Sequence, residues 1–218
     1  MCGRFVLNSN KEEIIEIFNI NDTQLPAFAP NDNIPPGTHI PIVYQTEDKR
    51  HLSSANWGLV PSWAKDKSFA SNTFNARSET VSEKPSFKNA YKKQRCLIPA
   101  DAYYEWAKLR VNGKVAGKQP YLIGREDKAM FAFAGLYEHW TDINSGEILE
   151  SCAVITREAY TSIHHIHPRM PIILPSDSYQ TWLNAETDEF LMIEENDLDF
   201  YPVDKGLGSS NNNYELKF

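Results

Sequence analysis

The chain alternates between stretches of period-two and period-3.6 hydrophobicity, and the period-two stretches dominate its middle. Ile40 to Tyr44 and His51 to Ala55 read as two strands around a polar turn. Arg95 to Ile98, Ala102 to Leu109, Tyr121 to Gly124 and Ala129 to Tyr137 read as further strands. In the last of these Phe131 and Phe133 alternate with Ala132 and Ala134. Asn112-Gly113 is the strongest hairpin signal, because both residues tolerate the positive φ of a type I′ turn. Asn144-Ser145-Gly146 predicts a second hairpin, leading into a strand from Ile148 to Ile155. Helical spacing is confined to short pieces. Ser9 to Ile20 predicts a helix with Ser9 as N-cap, Glu12 completing a capping box, and a stripe of Ile14, Ile15 and Phe18. Phe87 to Lys93, Tyr160 to His165 and Ser178 to Asn184 predict three more short helices. No strand–helix rhythm calls for a doubly wound parallel sheet. The expected fold is α+β, a single domain over residues 1–218, with residues 203–218 as a less certain C-terminal tail. Its centre is one curved, mostly antiparallel, barrel-like β-sheet flanked by short helices.

Composition adds little to this. The 218 residues are 41% hydrophobic and 23% charged, as expected of a chain with an ordinary buried core. Met1 to Phe5 lacks the apolar run of a signal peptide, and no stretch is long enough to cross a membrane. A cytoplasmic location is expected, at the nucleoid if the source is bacterial. The three cysteines, Cys2, Cys96 and Cys152, are far apart and form no C-x-x-C pair, so neither a disulfide framework nor a cysteine-rich zinc site follows. Cys96 and Cys152 lie in apolar strands and read as small buried hydrophobes. The His164-His165-x-His167 cluster has no partner carboxylate motif, so no metal is expected, and no cofactor either.

Charge changes the picture. The net charge is −7, yet residues 57–118 carry 12 Lys and Arg against 5 Asp and Glu. Residues 186–199 hold seven acids and no base. Such asymmetry fits either two solvated surfaces or a basic face that meets phosphate.

The candidate chemistry begins at Cys2. Methionine is generally trimmed before a small residue, and trimming would leave an α-amine and a thiol on one residue. Their ordinary pKa values, about 7.7–8.0 and 8.5, leave both partly deprotonated near neutrality. Such a pair condenses with an aldehyde: the amine forms an imine, and the thiol closes a five-membered thiazolidine in an intramolecular step. Position alone equally allows Cys2 to be an inert second residue.

Seven segments occur in a telling order. They are Met1-Cys2-Gly3-Arg4-Phe5, Trp57-Gly58-Leu59-Val60-Pro61-Ser62-Trp63-Ala64, Asn75-Ala76-Arg77-Ser78-Glu79-Thr80, Arg95-Cys96-Leu97-Ile98-Pro99-Ala100, Tyr103-Tyr104-Glu105-Trp106, Ala134-Gly135-Leu136-Tyr137-Glu138 and His167-Pro168-Arg169-Met170-Pro171-Ile172. Together, from residue 1 to about 184, they resemble the SRAP family, the SOS-response-associated peptidases or abasic-site processing proteins. The resemblance implies a single sheet-rich domain whose N-terminal cysteine crosslinks to the sugar aldehyde of abasic sites in single-stranded DNA. It makes Cys2 the nucleophile, lets Asn75 orient the sugar, and gives Glu105 and His167 the proton transfers. Arg4, Arg77 and Arg169 would hold phosphates, with Asn33, Ser78 and Trp63 along the DNA path. The monomer is the default state.

Elementary chemistry allows these roles. Histidine titrates near 6.5 and suits the loss of water from a carbinolamine. Glu105, between Tyr104 and Trp106, is expected in an apolar setting that raises its pKa. Structural readings stand beside them: Trp57 as a core residue, Glu105 as the partner of an arginine, and Ser78 as the cap of a helix. The chain departs from the family pattern at Asp32-Asn33-Ile34-Pro35-Pro36, at Ala102 and at Asp204. Two other functions remain open, an N-terminal-nucleophile amide hydrolase and a single-stranded DNA-binding module without chemistry.

Overall fold

The computed structural model describes residues 2–204; Met1 and residues 205–218, with the Ser-Asn run expected as a tail, lie outside the described residues. The chain opens with β1 (Phe5–Leu7), α1 (Lys11–Ile17), β2 (Asp22–Thr23) and β3 (Asn31–Ile34). Then come β4 (His39–Thr46), β5 (Lys49–Trp57), β6 (Asn75–Arg77), α2 (Lys88–Lys93) and β7 (Arg95–Ala100). The long strands β8 (Ala102–Val111), β9 (Lys114–Arg125), β10 (Phe131–Thr141) and β11 (Ile148–Glu158) follow. The described chain ends with α3 (Thr161–His164), β12 (Arg169–Pro171), β13 (Ile173–Leu174), α4 (Tyr179–Leu183) and β14 (Leu198–Pro202).

The strands make two sheets rather than the single one expected. One runs β14-β9-β8-β1-β3. In the other, β11, β10, β7, β4 and β5 are neighbours in turn, and β11 pairs back to β5 through Ser151↔Asn56 and Cys152↔Trp57. That pairing closes a five-stranded barrel. Closure removes two sheet edges that would otherwise invite association. It is a parallel pairing, and a sequence dominated by hairpins gives no sign of it. β6 and β2 add parallel contacts, to β11 and β5 respectively.

The sheets meet through aromatic rings. Phe5 of β1 lies edge-on to Trp57 of β5 at 5.3 Å and to Phe133 of β10 at 5.9 Å. Trp57 is wholly buried and its indole N–H donates to the Phe74 carbonyl. Trp57 is therefore a core residue. Cys96 and Cys152 are buried free thiols, as their apolar surroundings suggest.

Several local expectations shift. The first helix is shorter than Ser9 to Ile20. Its N-cap is Asn10, whose side chain accepts from the Glu13 N–H while the Glu13 carboxylate accepts from the Asn10 N–H. The capping box slides by one residue because Asp101 claims Ser9: its carboxylate accepts from the Asn8 and Ser9 N–H groups and from the Ser9 hydroxyl. Ser78 caps no helix; it follows β6, and its N–H donates to the Thr156 carbonyl. The Asn112-Gly113 hairpin forms with φ of 50° and 77°.

The acidic stretch 186–199 is held to the body by Arg95. This guanidinium is buried, lies 4.3 Å from the Tyr91 ring centre and 4.5 Å from that of Trp182, and donates to the carbonyls of Tyr91 and Thr187 and to Asp188. Gly58 sits at φ +152°, and a Cβ there would lie 2.5 Å from the Ala70 carbonyl oxygen. Gly58→Ala should cost about 2–4 kcal/mol through strain and overpacking, read as a lower midpoint in urea with an unchanged slope. A midpoint within error of the parent would contradict the tight contact.

Candidate active site

Cys2 enters just ahead of β1, and β1 lies between β3 and β8. Its carbonyl accepts from the Asn75 amide at 2.7 Å. Asn75 reaches it from β6, which the parallel pairing with β11 fixes in place. The Asn75 Oδ1 is buried and has no hydrogen-bond partner among the described residues. Glu105 comes from β8, in the same sheet as β1, and its side chain is only 4% exposed. His167 lies in the loop ahead of β12, with Nδ1 3.8 Å from Glu105 Oε1. The Arg169 N–H donates to that same Nδ1 at 3.0 Å. The Arg169 carbonyl lies 3.1 Å from the same nitrogen, so Nδ1 is held against both backbone groups of Arg169.

Burial sets the electrostatics of the site. It pushes the Cys2 thiol far above its ordinary value, helped by the charge of Glu105. The thiol therefore departs from the ordinary value that would leave it partly deprotonated near neutrality, because Cys2 is fully buried. Burial likewise raises Glu105, but not through the residues flanking it in sequence. Tyr104 and Trp106 fall on the opposite face of β8, where their rings pair at 6.4 Å. Glu105 shares its face with Tyr103 and lies across from Tyr121 on β9. Burial also holds His167 below its ordinary pKa. All three shifts favour neutral forms.

The His167 shift has a stability consequence. The folded state binds this proton less well than the unfolded chain, so the contribution is present above the unfolded value near 6.5. It is lost as pH falls through the depressed folded value. His167→Asn should therefore lose less stability than the parent between pH 7 and pH 5, measured as urea midpoints at both. Equal losses would count against a buried neutral imidazole.

The remaining sequence candidates fall at varied distances from this cluster. Arg4 is half-buried and donates to Asn33 Oδ1 at 3.4 Å, so these two stand together beside Cys2. Arg77 is exposed at the end of β6, followed by Ser78. Arg169 forms a two-pronged pair with the Glu79 carboxylate, and its Nη2 also donates to the Thr156 carbonyl. Its fork is thus engaged within the protein. Trp63 is 51% exposed, set edge-on to Phe69, and donates to the Pro85 carbonyl. Of the clustered histidines, only His167 faces Glu105; His165 packs against Tyr121 and Phe200. No group of three or more metal-ligating side chains occurs among the described residues.

One residue of the cluster escaped the sequence reading. Tyr103 is fully buried, and its hydroxyl has no partner among the described residues. Period-two alternation with Glu105 was the signal that it points the same way.

The family profile described as SOS response associated peptidase (SRAP) matches residues 1–210. The chain belongs to the SRAP family. The SRAP relatives include the abasic site processing protein YoqW of Bacillus subtilis strain 168. It is 39% identical over 222 residues, spanning 98% of this chain and 96% of YoqW. The abasic site processing protein HMCES of Xenopus tropicalis is 29% identical over 260 residues, spanning 98% of this chain and 76% of that protein. Among solved structures, a phage-related protein of Bordetella bronchiseptica superposes with a TM-score of 0.73 at 31% identity, covering 93% of this chain and 94% of that one. A Bacteroides thetaiotaomicron protein does so with a TM-score of 0.83 at 24% identity, covering 94% and 93%; at that identity it speaks for the SRAP fold alone.

Proposed function

We propose that this SRAP protein processes abasic sites in DNA by covalent capture, with Cys2 as its N-terminal residue once Met1 is removed. The observation that carries the reading is that Asn75 on the Cys2 carbonyl and His167 beside Glu105 come from two sheets to the buried Cys2, whose thiol feels the Glu105 charge. The names of the relatives supply the substrate class.

The chemistry follows from the groups present. The α-amine of Cys2 attacks the aldehyde carbon of the ring-opened sugar and gives a carbinolamine. Glu105, its affinity for protons raised by burial, accepts the proton that the amine sheds. That proton passes from Glu105 through His167, 3.8 Å away, to the carbinolamine hydroxyl, which leaves as water and gives the imine. The Cys2 sulfur then adds to the imine carbon, its proton passes to nitrogen, and a thiazolidine closes. One water is lost overall. A thiol kept protonated by burial makes the amine the first nucleophile and the sulfur the second. The Asn75 Oδ1 offers an acceptor to a sugar hydroxyl. Arg4 and Arg77 would hold phosphates, and Trp63 presents an exposed face for a base of a single strand.

The test is a denaturing gel. Met1-processed protein is incubated with a single strand carrying one abasic site, beside Cys2→Ala and an intact strand. A heat-stable slower band that needs both Cys2 and the lesion is expected. Its absence, with Met1 removal confirmed by mass, would overturn covalent capture and turn attention to amide hydrolysis.

A further inference from the structure

Two of the four site residues arrive on very short elements. Asn75 opens β6, and His167 stands two residues before Arg169, which opens β12. Each of these strands is three residues long and, among the described residues, pairs with β11 alone. Both meet β11 at Thr156, through Arg77 and Pro171 respectively. Strands this short are at the lower limit of length and carry few ladder hydrogen bonds. Pairing with β11 therefore leaves the approach of Asn75 and His167 to Cys2 and Glu105 only loosely set.

One ion pair ties the two elements to each other. Glu79 follows β6 by two residues, and its carboxylate accepts from both terminal nitrogens of Arg169. Arg169 Nη2 also donates, at 2.6 Å, to the Thr156 carbonyl, which accepts from the Ser78 N–H as well. A two-pronged contact between guanidinium and carboxylate fixes direction as well as distance. The backbone of the same arginine holds the imidazole, its N–H donating to His167 Nδ1 at 3.0 Å and its carbonyl lying 3.1 Å from that nitrogen. A shift of the Arg169 side chain is thereby passed to the groups that orient His167. The guanidinium keeps the Glu79 carboxyl below its ordinary range, so the pair is fully charged near neutrality. Glu79 is half-exposed, and ion pairs open to water add little to folding stability. What this pair supplies is orientation.

We propose that Glu79 is a positioning residue for the capture reaction: by gripping Arg169 it sets His167 against Glu105 and keeps the His167 loop in register with the strand that delivers Asn75. This rests on the reading of Cys2, Asn75, Glu105 and His167 as the reacting cluster. Glu79 acts through Arg169 and is not itself one of the reacting groups. The role commits the Arg169 fork to the protein and leaves phosphates to Arg4 and Arg77. Loss of the grip therefore slows the proton relay and spares DNA binding. A misplacement of about 1 Å at a reacting group can cost 10²-fold in rate, so a contact that adds little stability can still govern the chemistry.

The experiment separates rate from binding in the full, Met1-processed chain. The crosslinking rate is read on denaturing gels at saturating single-stranded DNA with one abasic site, and affinity by fluorescence anisotropy in a Cys2→Ala background. Glu79→Gln should slow crosslinking by roughly 10- to 100-fold. Its affinity should stay within about threefold of that of Glu83→Gln, an exposed acid nearby whose loss changes net charge equally. Glu79→Asp, which keeps the charge and shortens the reach, should also be slow. Arg169→Met should slow the reaction as Glu79→Gln does, and the double variant should be no slower than Arg169→Met, because coupled residues are not additive. Urea midpoints close to the parent's would show that every variant is folded. A parental rate in Glu79→Gln would overturn the proposal. So would a loss carried wholly by affinity, or losses that multiply in the double variant. A readout independent of crosslinking is the ¹H–¹⁵N spectrum of the His167 ring, assigned with His167→Asn. Its Nδ1 resonance should shift in Glu79→Gln, and an unmoved resonance would sink the clamp. A parent that forms no crosslink would defeat covalent capture, and this spectrum would still decide the clamp.

Discussion

Cys2→Ser should abolish the heat-stable product while leaving a product that borohydride can trap. Serine keeps the α-amine, so the imine still forms once Met1 is removed. It supplies a hydroxyl in place of sulfur, and a hydroxyl is the weaker nucleophile, so the ring does not hold closed. The expected loss of heat-stable crosslink is at least about 10³-fold, consistent with removing an intramolecular closure of high effective molarity. Denaturing gels with and without reductant read both species. A heat-stable band of parental intensity from the serine variant would remove sulfur from the product. No reducible band would remove the amine instead. The experiment thus separates the two nucleophiles that Cys2 combines, which Cys2→Ala alone does not do.

The second large effect concerns stability. Arg95→Ala strips two aromatic faces of their stacked guanidinium and leaves the carbonyls of Tyr91 and Thr187 without their donor. Asp188 is mostly exposed, so the carboxylate returns to water at little cost. The void and the lost donors together should cost about 3 kcal/mol. For a chain of this length that lowers Tm by roughly 6–12 °C. Arg95→Lys should recover little, because an ammonium cannot stack flat between two rings. A shift under about 2 °C for Arg95→Ala would show that residues 186–199 hold to the body without it.

The parts legible in the sequence were those with local causes. The Asn112-Gly113 turn, the lysine-bearing outer face of α2 over buried Phe87 and Tyr91, and the alternation of Phe131 and Phe133 each follow from neighbours a few residues apart. What escaped was long-range. The parallel pairing of β11 with β5 joins residues nearly a hundred positions apart, and no local pattern encodes it. The slip of the first capping box depends on Asp101, which no window around Ser9 contains. At the site, motif order pointed to Cys2, Asn75, Glu105 and His167, and the fold brings them together. The burial of the Cys2 thiol was not legible, since a chain terminus ordinarily sits in water. The engagement of Arg169 by Glu79 was likewise hidden, because a charged motif residue reads the same whether its partner is a phosphate or a carboxylate.

The division of the strands into two sheets has one more consequence. Cys2 and Glu105 belong to the sheet that carries β1 and β8, whereas Asn75 reaches in from a strand attached to the barrel and His167 from the loop before β12. Neither sheet alone holds all four residues of the proposed site. The docking surface between them, with Phe5 set against Trp57 and Phe133, is therefore the element that brings them together. A looser fit there would act as a dimmer on reactivity before it registered as unfolding.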